Sequence, residues 1–351
     1  MSAARIPAPL LEAFTAGCLR AVGIPADDAA SVAGLMTEAD LSGADGHGIF
    51  RLPQYVKRIR SGGINLRPSI RILRERAAAA LVDGDNAMGH LVMRHAAQVA
   101  IDKARSQGVA WVGACNSNHA GPASLYAKMP LAHDMIGLYI AVGNANHLPP
   151  WGGVDMLLST NPIAVAMPAD TQPPIVLDMA TTVAAYGKVK TAAQRGETMP
   201  EGWMIDREGN PLTDPARAAE GFLLPIGGPK GYGLALVFGL LAGTLNGAAF
   251  GKDVVDFNAD SVTPTNTGQL IVAISIEAFG DVAAFKRGVD RAIDTMHGSA
   301  TLPGVDRVRV PGERSHAIRL ERETAGIPVH AGLYAALEAL GRELGVDMPT
   351  P

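Results

Sequence analysis

The stretch AAALVDGDNAMGHLVMRHAAQVAIDKARSQGVAWVGACN, residues 78–116, decides the class of fold. Its opening, AAALVDGD, is a short apolar run closed by Gly and Asp, which reads as a strand. GHLVMRHAAQVAIDKARSQG then repeats apolar residues at helical spacing and stops at Gly108. VAWVGACN follows as a second apolar strand. A strand, a long amphipathic helix and another strand in succession argue for an α/β sheet covered by helices.

The flanks extend this pattern. Upstream, PAPLLEAFTAGCLRAVG, PADDAASVAGLMTEADLSG and LPQYVKRIRSGG each start and stop as helices do, and SIRILRE reads as a strand. Downstream, a short helix precedes the strand MIGLYIAVGN; NPIAVAMP and PIVLDMA are two further short apolar runs. QLIVAISI is a late strand and DVAAFKRGVDRAIDTMHG a helix, and the tail from PGERSHAIRLERE onward reads as helical and charged. No internal repeat appears.

The chain has 351 residues, 48% hydrophobic and 18% charged, a globular composition with ample material for a large core. Its formal net charge of −4 argues against a nucleic-acid partner. Two cysteines, Cys18 and Cys115, form no ligand pair and fit a reducing cytoplasm. The N-terminus lacks the basic and apolar regions of a signal peptide. The longest apolar run, GYGLALVFGLLAGTL, is glycine-laced and short of the roughly 20 residues a spanning helix needs, so no membrane partner is expected.

Familiar nucleotide motifs are missing. There is no G-x-G-x-x-G after a strand and no G-x-x-x-x-G-K-[ST]. Instead LLPIGGPKGYGLALVFGLL, residues 223–241, sets Gly227, Gly228, Gly231 and Gly233 around Lys230 at the start of an apolar helix. Free backbone N–H groups there suit a phosphate, and a tight turn with close helix packing explains the glycines equally well. CNSNHAGPASLYA places His119 at the end of an apolar strand, where α/β sheets gather ligands, although an exposed Asn/Ser-rich turn has the same composition. GNANHLPPWGG, with His147 and Trp151, and LDMATTVAAYGKVK, with Asp178, Thr181, Thr182 and Lys188, also follow apparent strands. The nine histidines form no H-x-x-x-H and no H-E-x-x-H, so no catalytic metal is expected. A G-x-S-x-G nucleophile elbow is absent. The basic segment 56–76 reads first as a solvated face and second as a cleft for an anion. In SGADGHGIFRLPQY, residues 42–55, His47 stands between Gly46 and Gly48, with Arg51 and Tyr55 at four-residue steps.

The segments DGHGIFRLPQY, NSNHAG, PPWGG…STNPIA, LDMATTVAAYGKV, MPEGWMIDREGNPLTDP, LLPIGGPKGYG and PGER, in this order, resemble the type-2 malate/L-lactate dehydrogenases. These are nicotinamide-dependent oxidoreductases without a Rossmann fold. They include ureidoglycolate and sulfolactate dehydrogenases, 2,3-diketogulonate reductase and Δ1-piperideine-2-carboxylate reductases. The resemblance runs from about Gly43 to Pro328. It implies a mixed sheet in α/β/α layers and a homodimer. A helical N-terminal part, residues 1–75, would pack with C-terminal helices at 311–351 and leave 76–310 to bind cofactor and substrate. It implies NAD or NADP held by Asn144, Asp178, Met179, Ala180, Thr181, Pro229, Lys230, Gly312 and Glu313. His47 and His119 occupy the two positions that serve as acid/base in different members.

On this reading a small anionic 2-hydroxy/2-oxo acid exchanges hydride at C2 with the cofactor, and a histidine handles the proton. Arg51 would hold the substrate carboxylate and Tyr55 would line the same wall. His47 would lie between glycines because substrate and nicotinamide approach its ring. The family's usual serine before this histidine is Gly46 here. Reduction of a cyclic imine shares the same cofactor residues. A histidine-based lyase or hydrolase of an anion is the alternative of another class.

Overall fold

The computed structural model describes residues 4–350. A short strand β1 (Ala4–Ile6) leads into helices α1 (Ala8–Ala21), α2 (Ala26–Leu41) and α3 (Leu52–Arg60). Strands β2 (Arg71–Glu75) and β3 (Ala79–Asp83), helix α4 (Gly89–Gln107) and strand β4 (Val109–Ser117) follow. Next come α5 (Ser124–Ala127), β5 (Met135–Ala141), β6 (Ile163–Met167), β7 (Ile175–Met179) and α6 (Tyr186–Arg195). The hairpin-like pair β8 (Met204–Asp206) and β9 (Gly221–Leu223) precedes α7 (Pro229–Ala242), β10 (Thr267–Ser275) and α8 (Val282–His297). The chain closes with α9 (Glu313–Ala325), β11 (Ile327–Val329) and α10 (Ala331–Leu344).

The main sheet has seven strands in the order β2-β3-β4-β10-β5-β6-β7. Only β3 and β4 pair in parallel, joined by the crossover helix α4 that the opening stretch encodes. The sheet is therefore mixed, as the resemblance implies, and it is layered. On one face Val92, Met93, Ala96, Ala97 and Ala100 of α4 pack on Val82, Val112, Ala114, Ile271 and Ala273. On the other, Ala242 of α7 packs with Ile140, Val142, Leu270 and Val272. Alternation along β10 sends Leu270 and Val272 one way and Ile271 and Ala273 the other, the period-two geometry of a strand buried on both faces.

A second core joins the chain ends. Leu11, Phe14, Met36, Tyr55 and Ile59 share it with Ile327, Val329 and Leu337. Here the purely helical reading of the ends is incomplete: β1 and β11 pair antiparallel, Ala4 opposite Val329 and Ile6 opposite Ile327. Three-residue strands are too short to carry a period-two signal, so nothing in the sequence pattern marks them.

Strand directions explain where the site lies. β10 runs antiparallel to both β4 and β5, and β6 runs antiparallel to both β5 and β7. Hence β4, β5 and β7 point the same way and their carboxyl ends open on one edge, the place where ligands gather in such sheets. Gly89 brings the start of α4 against that edge, because a Cβ there would overlap the backbone carbonyls of Asn118 and His119.

Candidate active site

A cavity of about 1320 Å³ runs along this edge. That exceeds the roughly 300–1,000 Å³ of ordinary small-ligand sites and leaves room for a dinucleotide beside a small acid. His47, Arg51, His119, Asn144, Asp178, Met179, Ala180 and Gly312 line it.

Two histidines from distant segments meet here. Nδ1 of His47 lies 3.3 Å from Nε2 of His119, and the rings stack with an interplanar angle of 12°. The hydroxyl of Tyr55 lies 2.6 Å from Nδ1 of His119. Both nitrogens of His119 are thus engaged, while Nε2 of His47 has no partner among the described residues and its ring lines the cavity. Burial, and then the charge of Arg51, pull His47 down to about 4. Burial and the same arginine hold His119 well below its ordinary value. Both shifts favour the neutral rings. Tyr55 is fully buried behind His119 and is raised by burial, so it fixes that ring and does not form a cavity wall.

Arg51 reaches the cavity by a route other than a shared α-helical face with His47. Residues 49–51 form a single 3₁₀ turn, and α3 begins only at Leu52. Nε of Arg51 donates to the carbonyl of Gly46 at 2.8 Å, and Nη1 donates to Oδ1 of Asn258 at 3.1 Å. Among the described residues nothing accepts from Nη2 or the second Nη1 proton, which leaves a fork suited to a carboxylate.

The glycines around His47 have different reasons. A Cβ on Gly48 would overlap the Asp40 carboxylate, which accepts the Ile49 N–H at 2.8 Å. Asp40 is buried and pushed up to about 8, chiefly by loss of water. A Cβ on Gly46 meets nothing within 4 Å. Close approach of a ligand is therefore not what requires Gly48, and only Gly46 leaves empty space.

The other sequence candidates divide. Nδ2 of Asn144 donates to Oγ1 of Thr267 at 2.6 Å, and the Asp178 carboxylate accepts the Ser124 N–H at 2.9 Å. Burial raises Asp178. Thr181 is buried, its hydroxyl on the Thr160 carbonyl at 2.9 Å, away from the cavity lining. Pro229 and Lys230 are exposed at the start of α7, outside the cavity, where Gly228 lies against Trp151. Glu313 pairs with His297 and Arg307 and does not line the cavity.

Several site residues escaped the sequence reading. His147 was visible there, but not its partner: its ring stacks on Tyr186 at 3.9 Å between centroids. Lys190 places its ammonium 5.7 Å from the Tyr186 ring centre. Tyr186 and Lys190 are four residues apart on α6, the spacing that puts two side chains on one helix face. Asp40 and Asn258 carried no local signal at all. Among the described residues no group of three His, Cys, Asp or Glu is placed to hold a metal ion, and no helix is long and apolar enough to cross a membrane.

Comparison with known proteins shows the family. A family model described as malate/L-lactate dehydrogenase matches residues 6–338. The L-sulfolactate dehydrogenase of Methanocaldococcus jannaschii is 38% identical over 94% of each chain. Its solved structure superposes with a TM-score of 0.91, covering 98% of both chains at 36% identity. A malate dehydrogenase of Pyrococcus horikoshii is 37% identical over 98% of this chain and 96% of its own. A ureidoglycolate dehydrogenase (NAD(+)) of Escherichia coli is 32% identical over 90% of this chain and 89% of its own.

Proposed function

The chain belongs to the malate/L-lactate dehydrogenase family, and from that premise we propose that it is an NAD(P)-dependent oxidoreductase of small 2-hydroxy/2-oxo acids. The observation that carries the reading is the Tyr55–His119–His47 chain, which ends on a free nitrogen in a large cavity beside the open fork of Arg51.

The nucleotide, when bound, supplies the hydride acceptor or donor at nicotinamide C4. Asn144, Asp178, Met179, Ala180 and Gly312 are the cavity residues proposed to hold it. Thr181 would support the Asp178 loop from behind through its hydrogen bond to the Thr160 carbonyl. Pro229, Lys230 and Glu313 lie outside this lining and would contribute only through a rearrangement or a second copy.

Arg51 holds the substrate carboxylate and so fixes C2. In the oxidative direction His47 Nε2 accepts the hydroxyl proton as the C2–H bond gives up hydride and the C2=O bond forms. His119, stacked on His47 and held at its Nδ1 by the Gly121 N–H at 3.4 Å and the Tyr55 hydroxyl at 2.6 Å, fixes the position of the His47 ring as it takes up the proton. The proton then leaves through the cavity. Reduction runs the same steps backward, with His47 as the acid. His47 is the catalytic residue on this account; His119 and Tyr55 position it.

The protein is proposed to act as a homodimer. α7 is apolar all round, yet Leu234, Val237 and Leu240 remain 39%, 51% and 41% exposed on the single chain. A helix of that kind wants cover on every side, and a second copy would supply it. Two free buried thiols, Cys18 and Cys115, support a reducing cytoplasmic setting.

The test is loss of reduced-nicotinamide absorbance with purified protein, NADH and NADPH in parallel. The panel is pyruvate, oxaloacetate, sulfopyruvate, diketogulonate and Δ1-piperideine-2-carboxylate. Turnover of a 2-oxo acid that disappears in His47→Gln supports the reading. Turnover of the cyclic imine alone would replace it with imine reduction, and no nucleotide binding would overturn it.

A further inference from the structure

His90 stands behind the active-site histidines, yet the proposed chemistry does not use it. It opens α4 just after Gly89, whose missing side chain lets the helix start lie on the backbone of Asn118 and His119. The residue is fully buried, and neither ring nitrogen has a partner among the described residues. Burial, and then the charge of His47, pull it down to about 3, which favours the neutral ring. A buried ring with two unanswered nitrogens costs stability. Leucine is of similar size, carries no polar atom and would fill the space without that cost. Packing alone therefore gives no reason for a histidine here.

Its neighbours supply one. Nδ1 of His119 is held by the Tyr55 hydroxyl at 2.6 Å and by the Gly121 N–H at 3.4 Å. His90 is wedged between these two holders. Its ring meets that of Tyr55 edge to face, with centroids 5.6 Å apart and an interplanar angle of 83°, the arrangement aromatic pairs prefer. Its Nε2 lies so close to Gly121 that a Cβ there would stand only 3.2 Å away. A phenylalanine would offer Tyr55 the same edge, but its six-membered ring would press into Gly121. Imidazole is the smallest aromatic side chain and fits the gap. We infer that His90 is a positioning residue: braced on Gly121, its ring holds the Tyr55 hydroxyl on His119 and so keeps His47 aligned in the cavity. The inference rests on the hydride-transfer reading for what His47 does there.

The experiment uses His90→Leu, Tyr55→Phe and the double variant, with His90→Gln, which also lacks a ring, as a second probe should the leucine not fold. His90→Leu should keep or raise the wild-type Tm and leave nucleotide affinity, measured by calorimetry with NADH and NADPH, unchanged. Its kcat on the 2-oxo acid the wild type reduces should fall between about tenfold and a hundredfold, the scale of a small misplacement of reacting groups. In the Tyr55→Phe background the same change should cost less than about twofold more, because the group His90 acts through is already gone. A crystal structure of His90→Leu reads the positioning without turnover: the contact from the Tyr55 hydroxyl to Nδ1 of His119 should lengthen past about 3.5 Å, where it ceases to be a hydrogen bond. A lower Tm, losses in kcat that add in the double variant, or an unchanged Tyr55–His119 contact each overturns the inference and leaves the hydride reading standing. If the wild type turns over no 2-oxo acid, the hydride reading falls, and the Tyr55–His119 distance in the variant alone decides whether His90 positions the pair.

Discussion

The Asp40 carboxylate occupies the place where a side chain on residue 48 would stand. It also accepts the Ile49 N–H, so one buried acid clamps the backbone just beyond His47. Arg322 holds the other side of this corner through the Asp40 carbonyl and the Asp45 carboxylate. The position of the His47 ring is thus set from α2 and α9, elements distinct from its own turn.

Gly48→Ala forces the methyl group into that carboxylate. Overpacking of this sort costs about 1–3 kcal/mol, and here the displaced atom is backbone-bonded, so His47 moves with it. The expected result is a lower Tm together with a large fall in kcat. Gly46→Ala, where the added atom meets only open space, should keep the wild-type Tm. Equal thermal shifts for the two variants would remove the distinction drawn between the two glycines.

Asp40 also makes a pH signature. Its carboxyl is pushed up to about 8 in the folded chain, against about 3.9 unfolded. Between these values the folded state holds a proton that the unfolded state has lost. Its contribution to stability is therefore full below about pH 4 and disappears as pH rises through 8. Asp40→Asn keeps an acceptor for the Ile49 N–H and cannot ionise. Thermal unfolding from pH 5 to 9 should show the wild type losing several degrees relative to the variant. Parallel curves would mean that Asp40 is ionised in the native protein.

What the sequence made legible follows from chain locality. The α4 crossover and the strands beside it announced themselves because each is long enough to show its period. His119, His147 and Asp178 were singled out because their segments stand at the ends of apolar runs, Asn144 through the family resemblance, and β4, β5 and β7 do end on one edge lined by all four. Contacts across the chain left no such trace. Arg58 stands in a basic run that reads as a solvated face, yet it is fully buried and donates to the carbonyls of Asp260 and Thr263. Tyr55 fell on the expected four-residue step from Arg51, but its hydroxyl points to His119 and not to the cavity. Periodicity tells which residues share a face, and only the packing of other elements tells what that face meets.

Val237 stands at the middle of the exposed apolar stripe of α7. Val237→Asp would place a charge in the centre of the proposed dimer face, where desolvation without a partner is costly. Light scattering coupled to size exclusion should report a dimer for the wild type and a monomer for the variant, with far-UV circular dichroism unchanged. A wild-type monomer, or a variant that remains a dimer, would exclude this face as the contact.

The order of the Tyr55–His119–His47 chain gives the two histidines unequal tasks. His47→Gln removes the group proposed to exchange the proton and should lower kcat by about 10²–10⁴. His119→Gln leaves that group in place without its support, and should cost less in kcat while changing the pH profile. For the wild type the sign follows from His47 being held near 4. Oxidation needs the bare nitrogen, so its kcat/KM should be level across the neutral range and fall only as the pH drops through about 4. Reduction needs the protonated ring, whose share shrinks tenfold per pH unit above that value, so its kcat/KM should decline steadily from pH 5 to 8. Both profiles are read from initial rates with saturating nucleotide. A midpoint near 6.5 in both directions would mean that burial does not depress the ring. A larger loss in His119→Gln than in His47→Gln would exchange their roles.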